Sequence, residues 1–156
     1  MNHQHKLRVA VIGAGNFAEI CHIPGIISHP QAEVRAVYAR NKDAARKLAA
    51  KFSIPIATDN LESICTDPEI DAVTIASANA AHANQAIMAL EHGKHVFCEK
   101  PLGASLADAQ KAAKVCVMRA LALLQRALGS LDAVQSILRI TVYVQSAPGF
   151  TQQSEV

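Results

Sequence analysis

Leu7 to Ala18 reads L-R-V-A-V-I-G-A-G-N-F-A. Its first half, Leu7–Ile12, is an apolar run broken only by Arg8, the pattern of a parallel strand buried on both faces. Its second half fits G-x-G-x-x-G/A. Gly13 permits a tight turn, Gly15 lets backbone approach a pyrophosphate, and Ala18 lets a helix pack close to the strand. A helix opening there offers free N–H groups and a partial positive charge to phosphate. A glycine-rich turn can also serve packing alone. Here it follows a strand, opens a helix and leads into a second strand, which is the context a dinucleotide site requires.

Outward from this stretch, short apolar runs alternate with helical patterns. Glu33–Ala39, Pro55–Thr58, Asp71–Ser77 and His95–Cys98 are strand candidates; Phe17–Ser28, Lys42–Phe52, Leu61–Cys65 and Ala80–His92 are helix candidates, the last stopped by Gly93. Strand–helix alternation with right-handed crossovers predicts an α/β fold, a doubly wound parallel sheet of Rossmann type. The last third changes rhythm. Ser105 with Asp108 reads as a capping box, a helical pattern runs from Leu106 to Leu128, and Gly129 ends it. Val134–Val144 (VQSILRITVYV) then has the composition of a strand, and 147–156 is a Pro/Gly/Gln/Ser tail. These changes set a strand and tail over 129–156, which the resemblance described below implies to be the remnant of a second domain, apart from a dinucleotide-binding domain over 1–128.

Composition narrows the classes of function. Of 156 residues, 51% are hydrophobic and 18% charged, a globular balance. Net charge is +2 with no Lys/Arg run, and aromatics are 4% with no Trp, so neither a nucleic-acid footprint nor a base-stacking platform is predicted. No secretory leader or membrane span is read, and a cytoplasmic location is expected. Cys21, Cys65, Cys98 and Cys116 lack CxxC spacing and read as buried, reduced thiols; the scattered histidines form no ligand pair, so no metal site is expected.

The end of the second strand bears on which cofactor is bound. NAD-selective sites place an acid there for the ribose 2′-OH. This chain reads Val37-Tyr38-Ala39-Arg40-Asn41, so Ala39 and Arg40 are the residues at that position. Arg40 suits a 2′-phosphate, favouring NADP, with NAD the alternative if Arg40 is merely solvated. Ligands of open α/β sheets lie beyond the carboxyl strand ends, where two loops qualify: Ser77-Ala78-Asn79-Ala80-Ala81-His82, and Glu99-Lys100-Pro101. A lysine desolvated beside a cofactor can act as an acid/base or orient a substrate oxygen. The alternative is an ordinary solvated lysine. Pro101 fixes the turn, with a cis bond available to it.

GAGNFA, SANAAH and EKPLGASLADA together resemble the Gfo/Idh/MocA family of NAD(P)-dependent oxidoreductases, which act on sugars, inositols and related compounds; the resemblance covers about residues 6–115. It implies an N-terminal Rossmann domain and a second domain built on a large open, mostly antiparallel sheet. It implies that Gly13, Gly15, Asn16 and Phe17 line the pyrophosphate and that Arg40 faces the adenosine ribose. Ser77, Asn79 and His82 are placed near the nicotinamide ribose, with Glu99 and Lys100 flanking the nicotinamide and Lys100 touching substrate as the catalytic residue. The family's strand and Asn/Arg-rich loop after EKP have no counterpart, since Lys111–Leu128 passes from one helical pattern to the next. The substrate domain is expected to be largely missing, and with it the family's later Asp and His.

Three functions follow as expectations. The first is hydride transfer between NADP(H) and a small sugar, polyol or carbonyl compound. The second is a catalytically incomplete cofactor-binding module needing a partner subunit, and the third a remnant that binds nothing. The unpaired apolar strand at Val134–Val144 and the long helix predict a homo-oligomer.

Overall fold

The computed structural model describes residues 6–134. Five strands form one wholly parallel sheet in the order β3-β2-β1-β4-β5: β1 Leu7–Ile12, β2 Ala32–Tyr38, β3 Ile56–Thr58, β4 Ala72–Ile75 and β5 His95–Cys98. The helices are α1 Ile23–Ser28, α2 Lys42–Lys51, α3 Leu61–Thr66, α4 His82–Glu91 and α5 Leu106–Leu128. This is the Rossmann-like architecture that the alternation predicts.

The two faces of the sheet carry separate cores. On one, Ala10, Ile12, Ala36, Tyr38, Val73 and Ile75 pack against Ile64 and Cys65 of α3 and against Ala86 and Ala89 of α4. On the other, Val11 and Val37 pack against Ile23 of α1 and against Ala45, Leu48 and Ala49 of α2. Both faces being covered explains why the central strands read as continuous apolar runs. One irregularity interrupts the ladder: Val9 pairs with Val34 but Ala10 with Ala36, so Arg35 is an inserted residue in β2. At the amino-terminal edge, Arg8 clamps β1 to the approach of β4. Its guanidinium donates to both carboxylate oxygens of Asp71 at 2.9–3.0 Å and pairs with Glu69 at 2.6 Å, which holds the charge on Arg8.

Several boundaries differ from the expected ones for local reasons. The single helix expected over Phe17–Ser28 is a π-helical turn, Ala18–His22, followed by α1. Pro24 cannot donate to a carbonyl four residues back, and its ring would crowd that carbonyl. The wider turn removes the conflict, with the Ile23 N–H bonding to Ala18 O. The fourth strand, Ala72–Ile75, is shorter than Asp71–Ser77, with the Asp71 and Ala76 N–H groups bonding the Arg8 and Ile12 carbonyls at its two ends. The fourth helix begins as a 3-10 turn, Asn79–Ala81, before α4. Gly93 and Gly129, at φ +78° and +82°, follow the ends of α4 and α5, the left-handed position glycine fills after a helix. Of the four cysteines, Cys65 is buried and Cys98 partly so, but Cys21 and Cys116 are exposed, against the expectation that all four are buried. The strand read over Val134–Val144 lies outside the described residues beyond Val134, as does the tail.

α5 packs on α4 through Ala112, with Ala83, Ile87, Leu102 and Val115 around it. Along α5, Val117, Met118, Leu123, Leu124 and Leu128 are exposed. No helix among the described residues is long and apolar enough to cross a membrane.

Candidate functional site

The carboxyl edge of the sheet is stitched one residue beyond each strand. Gly13 N–H donates to Tyr38 O, Ala76 N–H to Ile12 O, Ala39 N–H to Thr58 O and Glu99 N–H to Ile75 O, at 2.8–3.1 Å. Four loop origins, after β1, β2, β4 and β5, are thereby held level around the point where strand order reverses between β1 and β4. Parallel α/β sheets bind ligands at that crevice.

A cleft of about 420 Å³ opens there. Its walls come from Gly13 and Gly15 of the glycine turn, from Ala39 and Arg40 after β2, and from Ser77 after β4. The two glycines are required for different reasons. Gly13 has φ +124°, and a Cβ would stand 2.5 Å from Ala76 O, inside backbone; this glycine is demanded by the fold. A Cβ at Gly15 would meet nothing within 4 Å. The exposed bare main chain at Gly15 therefore has no packing reason in this chain and leaves room for a ligand. Ala18 is fully buried against the sheet. Arg40 is exposed at the far end of the cleft, beside Asn41, whose side chain accepts from the N–H groups of Asp43 and Ala44 and so caps α2.

The remaining candidates fall around this cleft. Asn16 and Phe17 are exposed on the turn but do not line the cleft, and Asn79 is exposed in the 3-10 turn. The His82 side chain is buried, with Nδ1 2.8 Å from Pro101 O and Nε2 3.1 Å from Ser77 O. The ring ties the two loops together by their backbones, and its nitrogens are spoken for. Lys100 is exposed, with no hydrogen-bond or ion-pair partner among the described residues, and its bond to Pro101 is cis. Glu99 does not face the cleft. It lines a second, mainly apolar groove of about 510 Å³ on the α1 side of β4 and β5, together with Cys21, His22, Ile26, Thr74 and Phe97. Among the described residues no group of His, Cys, Asp and Glu is arranged to hold a metal.

Sequence reading passed over three polar residues. Gln85 is buried at the cleft wall and accepts from the Ser77 hydroxyl. Its only sequence signal is an amide one α-helical turn into an apolar face. Thr74 sits in the middle of β4 at 4% exposure, a polar residue between Val73 and Ile75 that needs a partner. The partner is His22, a residue 52 positions away, and no local pattern announces that meeting.

Nearly all of this region has known counterparts. Residues 7–124 match the family described as an oxidoreductase family with an NAD-binding Rossmann fold. The scyllo-inositol 2-dehydrogenase (NADP(+)) IolU of Bacillus subtilis is 33% identical over 105 residues, 67% of this chain and 32% of that protein. An uncharacterized oxidoreductase of Synechocystis sp. is 39% identical over 102 residues, 65% of this chain and 27% of that protein. Among solved structures, KijD10, a 3-ketoreductase from Actinomadura kijaniata in complex with NADP and TDP-benzene, superposes with a TM-score of 0.67 at 29% identity, covering 74% of this chain and 35% of its own. The chain thus spans about a third of the length of the proteins it matches.

Proposed function

The chain belongs to the Gfo/Idh/MocA family of oxidoreductases, with its NAD-binding Rossmann fold, and on that premise we propose that it holds NADP(H) across the cleft and serves hydride transfer to or from a sugar, polyol or related carbonyl compound. The observation that carries the binding half of this reading is Gly15, whose missing side chain leaves open space where two linked phosphates would lie. Gly13, Gly15, Asn16 and Phe17 would surround the pyrophosphate, with the N–H groups of the π turn directed at it. Ala39 and Arg40 would meet the adenosine ribose, the Arg40 fork suiting a 2′-phosphate. IolU and KijD10, named for NADP or solved with it, support that preference. NAD remains the alternative where Arg40 makes no such contact.

Ser77 and Asn79 would approach the nicotinamide ribose, while His82 would act on that region through the Ser77 and Pro101 backbones it joins. Hydride exchange is the chemistry a nicotinamide supplies when bound. Lys100 Nζ, without a partner among the described residues at the carboxyl edge, would hold or deliver the proton of a substrate oxygen. Substrate choice would be made by residues in the part of the relatives this chain does not span. A second reading, favoured by the exposed apolar residues Val117, Leu124 and Leu128 of α5, is a cofactor-binding module that works with a partner subunit or with a second copy of itself in the cytoplasm.

Calorimetric titration with NADPH and NADH tests the reading. Saturable binding in the wild type that is abolished by Gly15→Asp is the expected result. A flat trace at millimolar nucleotide with folded protein overturns it. Turnover on a panel of polyols and sugars, lost in Lys100→Ala with NADPH binding retained, separates the enzyme from the module.

A further inference from the structure

Gln85 is an amide in a helix face that is otherwise mainly alanine and isoleucine. It is 6% exposed, and Ala83, Ala86, Ile87 and Ala89 are its buried neighbours on α4. A buried amide is costly unless its polar atoms find partners. Oε1 has one, because the Ser77 hydroxyl donates to it at 2.5 Å. The amide nitrogen has none among the described residues. It is not sealed off either, since the enclosed, unpartnered side-chain atoms among those residues are His22 Nε2 and Arg35 Nε. The space beside it is the glycine-turn cleft, which Gln85 and Ser77 both line.

The partners order the protons. Ser77 has one hydroxyl hydrogen and gives it to Gln85, so its oxygen meets the cleft with lone pairs alone. The Gln85 nitrogen carries two hydrogens and only donates. The wall thus offers an acceptor and a donor side by side. A phosphate only accepts and would face the Ser77 lone pairs. Two neighbouring hydroxyls answer both groups, one donating to Ser77 Oγ and the other accepting from Gln85 Nε2. Sheet order says which hydroxyls these are. The order β2-β1-β4 sets three loops in a row along the carboxyl edge, with Arg40 after β2, Gly13 and Gly15 after β1, and Ser77 after β4. A dinucleotide with its 2′-phosphate at Arg40 and its pyrophosphate over Gly15 brings its second ribose to Ser77. In NADP(H) that ribose carries the one vicinal pair of free hydroxyls, because the 2′-oxygen of the other ribose is phosphorylated.

We propose that Gln85 is a specificity-determining residue that, with Ser77, reads the free ribose diol of the bound cofactor. This rests on the cofactor-binding reading above. The test is calorimetry with three probes. NADPH carries the diol, 2′-phospho-ADP-ribose lacks the nicotinamide but keeps the diol, and adenosine 2′,5′-bisphosphate lacks the second ribose altogether. In Gln85→Met, which keeps the volume and removes the donors, the first two should weaken about fivefold to tenfold, the usual range for a lost hydrogen bond. Adenosine 2′,5′-bisphosphate should bind the variant as it binds the wild type. Ser77→Ala should give the same pattern. The double variant should lose less than the product of the single losses, because the Ser77 lone pairs face outward only while Gln85 takes its proton. A second measurement uses the wild type alone: the 15N and 1H signals of the Gln85 side-chain amide should move on adding 2′-phospho-ADP-ribose and stay in place on adding adenosine 2′,5′-bisphosphate. Equal weakening of all three ligands, weakening of NADPH alone, or amide signals that ignore 2′-phospho-ADP-ribose would overturn the proposal. Failure of the wild type to bind any of the three would overturn the cofactor reading itself.

Discussion

At the scale of single residues, two glycines two positions apart separate stability from function. Gly13→Ala must drive a methyl group into the Ala76 carbonyl at a φ of +124°, which should cost about 2–3 kcal/mol or more and show as a large fall in the urea midpoint. Gly15→Ala meets nothing, so its midpoint should stay within about 0.5 kcal/mol of wild type while NADPH affinity collapses. Arg40→Ala should weaken NADPH at least about tenfold and NADH far less, since only one of them offers the extra phosphate; equal losses would remove Arg40 from cofactor selection. The cysteines make a third contrast. Burial, reinforced by the neighbouring Glu99 and then Cys116, pushes the Cys98 thiol up to about 11, and burial also raises Cys65. At pH 8, iodoacetamide should label exposed Cys21 first, with Cys98 protected until the pH approaches 11, as followed by mass spectrometry. Because the folded-state value of Cys98 lies above its ordinary one, its contribution to stability is intact below about pH 9 and is lost as pH rises toward 11.

At the scale of elements, loops that are held by side chains act as the ends of strands and helices. Asn41 both caps α2 and borders the cleft. Asn41→Ala should lower stability by about 1 kcal/mol, the usual worth of such a cap, and thermal melting would register it as a few degrees. Ser105 plays the same part for α5, where it accepts from the Asp108 N–H and its hydroxyl donates to the Asp108 carboxylate. The π turn is the element that departs most from local preference. Pro24 perturbs the turn before it, an effect that apolar spacing does not carry. The helical periodicity of 17–28 looks uninterrupted when only apolar spacing is counted.

At the scale of the whole molecule, β5 is the edge of the described sheet, and α5 leaves an apolar stripe uncovered. Val117, Leu124 and Leu128 recur at helical spacing on that stripe. If the chain associates with itself through this helix, light scattering should give a mass above 16.6 kDa, and Val117→Glu with Leu124→Glu should return a monomer without lowering the melting temperature. A monomer in the wild type at tens of micromolar would leave the stripe to a different chain.

What the amino-acid order settled unaided is everything that depends on near neighbours. The strand runs, the glycine turn, the Ser105 cap and the span of α5 rest on period, bare backbone and hydrogen bonds reaching only a few residues. Those signals were enough for the parallel sheet and for the cleft wall made by Gly13, Gly15, Ala39, Arg40 and Ser77. Folding alone decided which loops share a space. Crossovers of tens of residues bring Thr74 to His22, Pro101 to His82 and Ser77 beside Gln85, and they turn Glu99 toward the α1 groove rather than the cleft. Contacts of that kind are fixed by sheet order and by the burial of polar atoms that must find partners, and neither quantity has a local period from which it can be read.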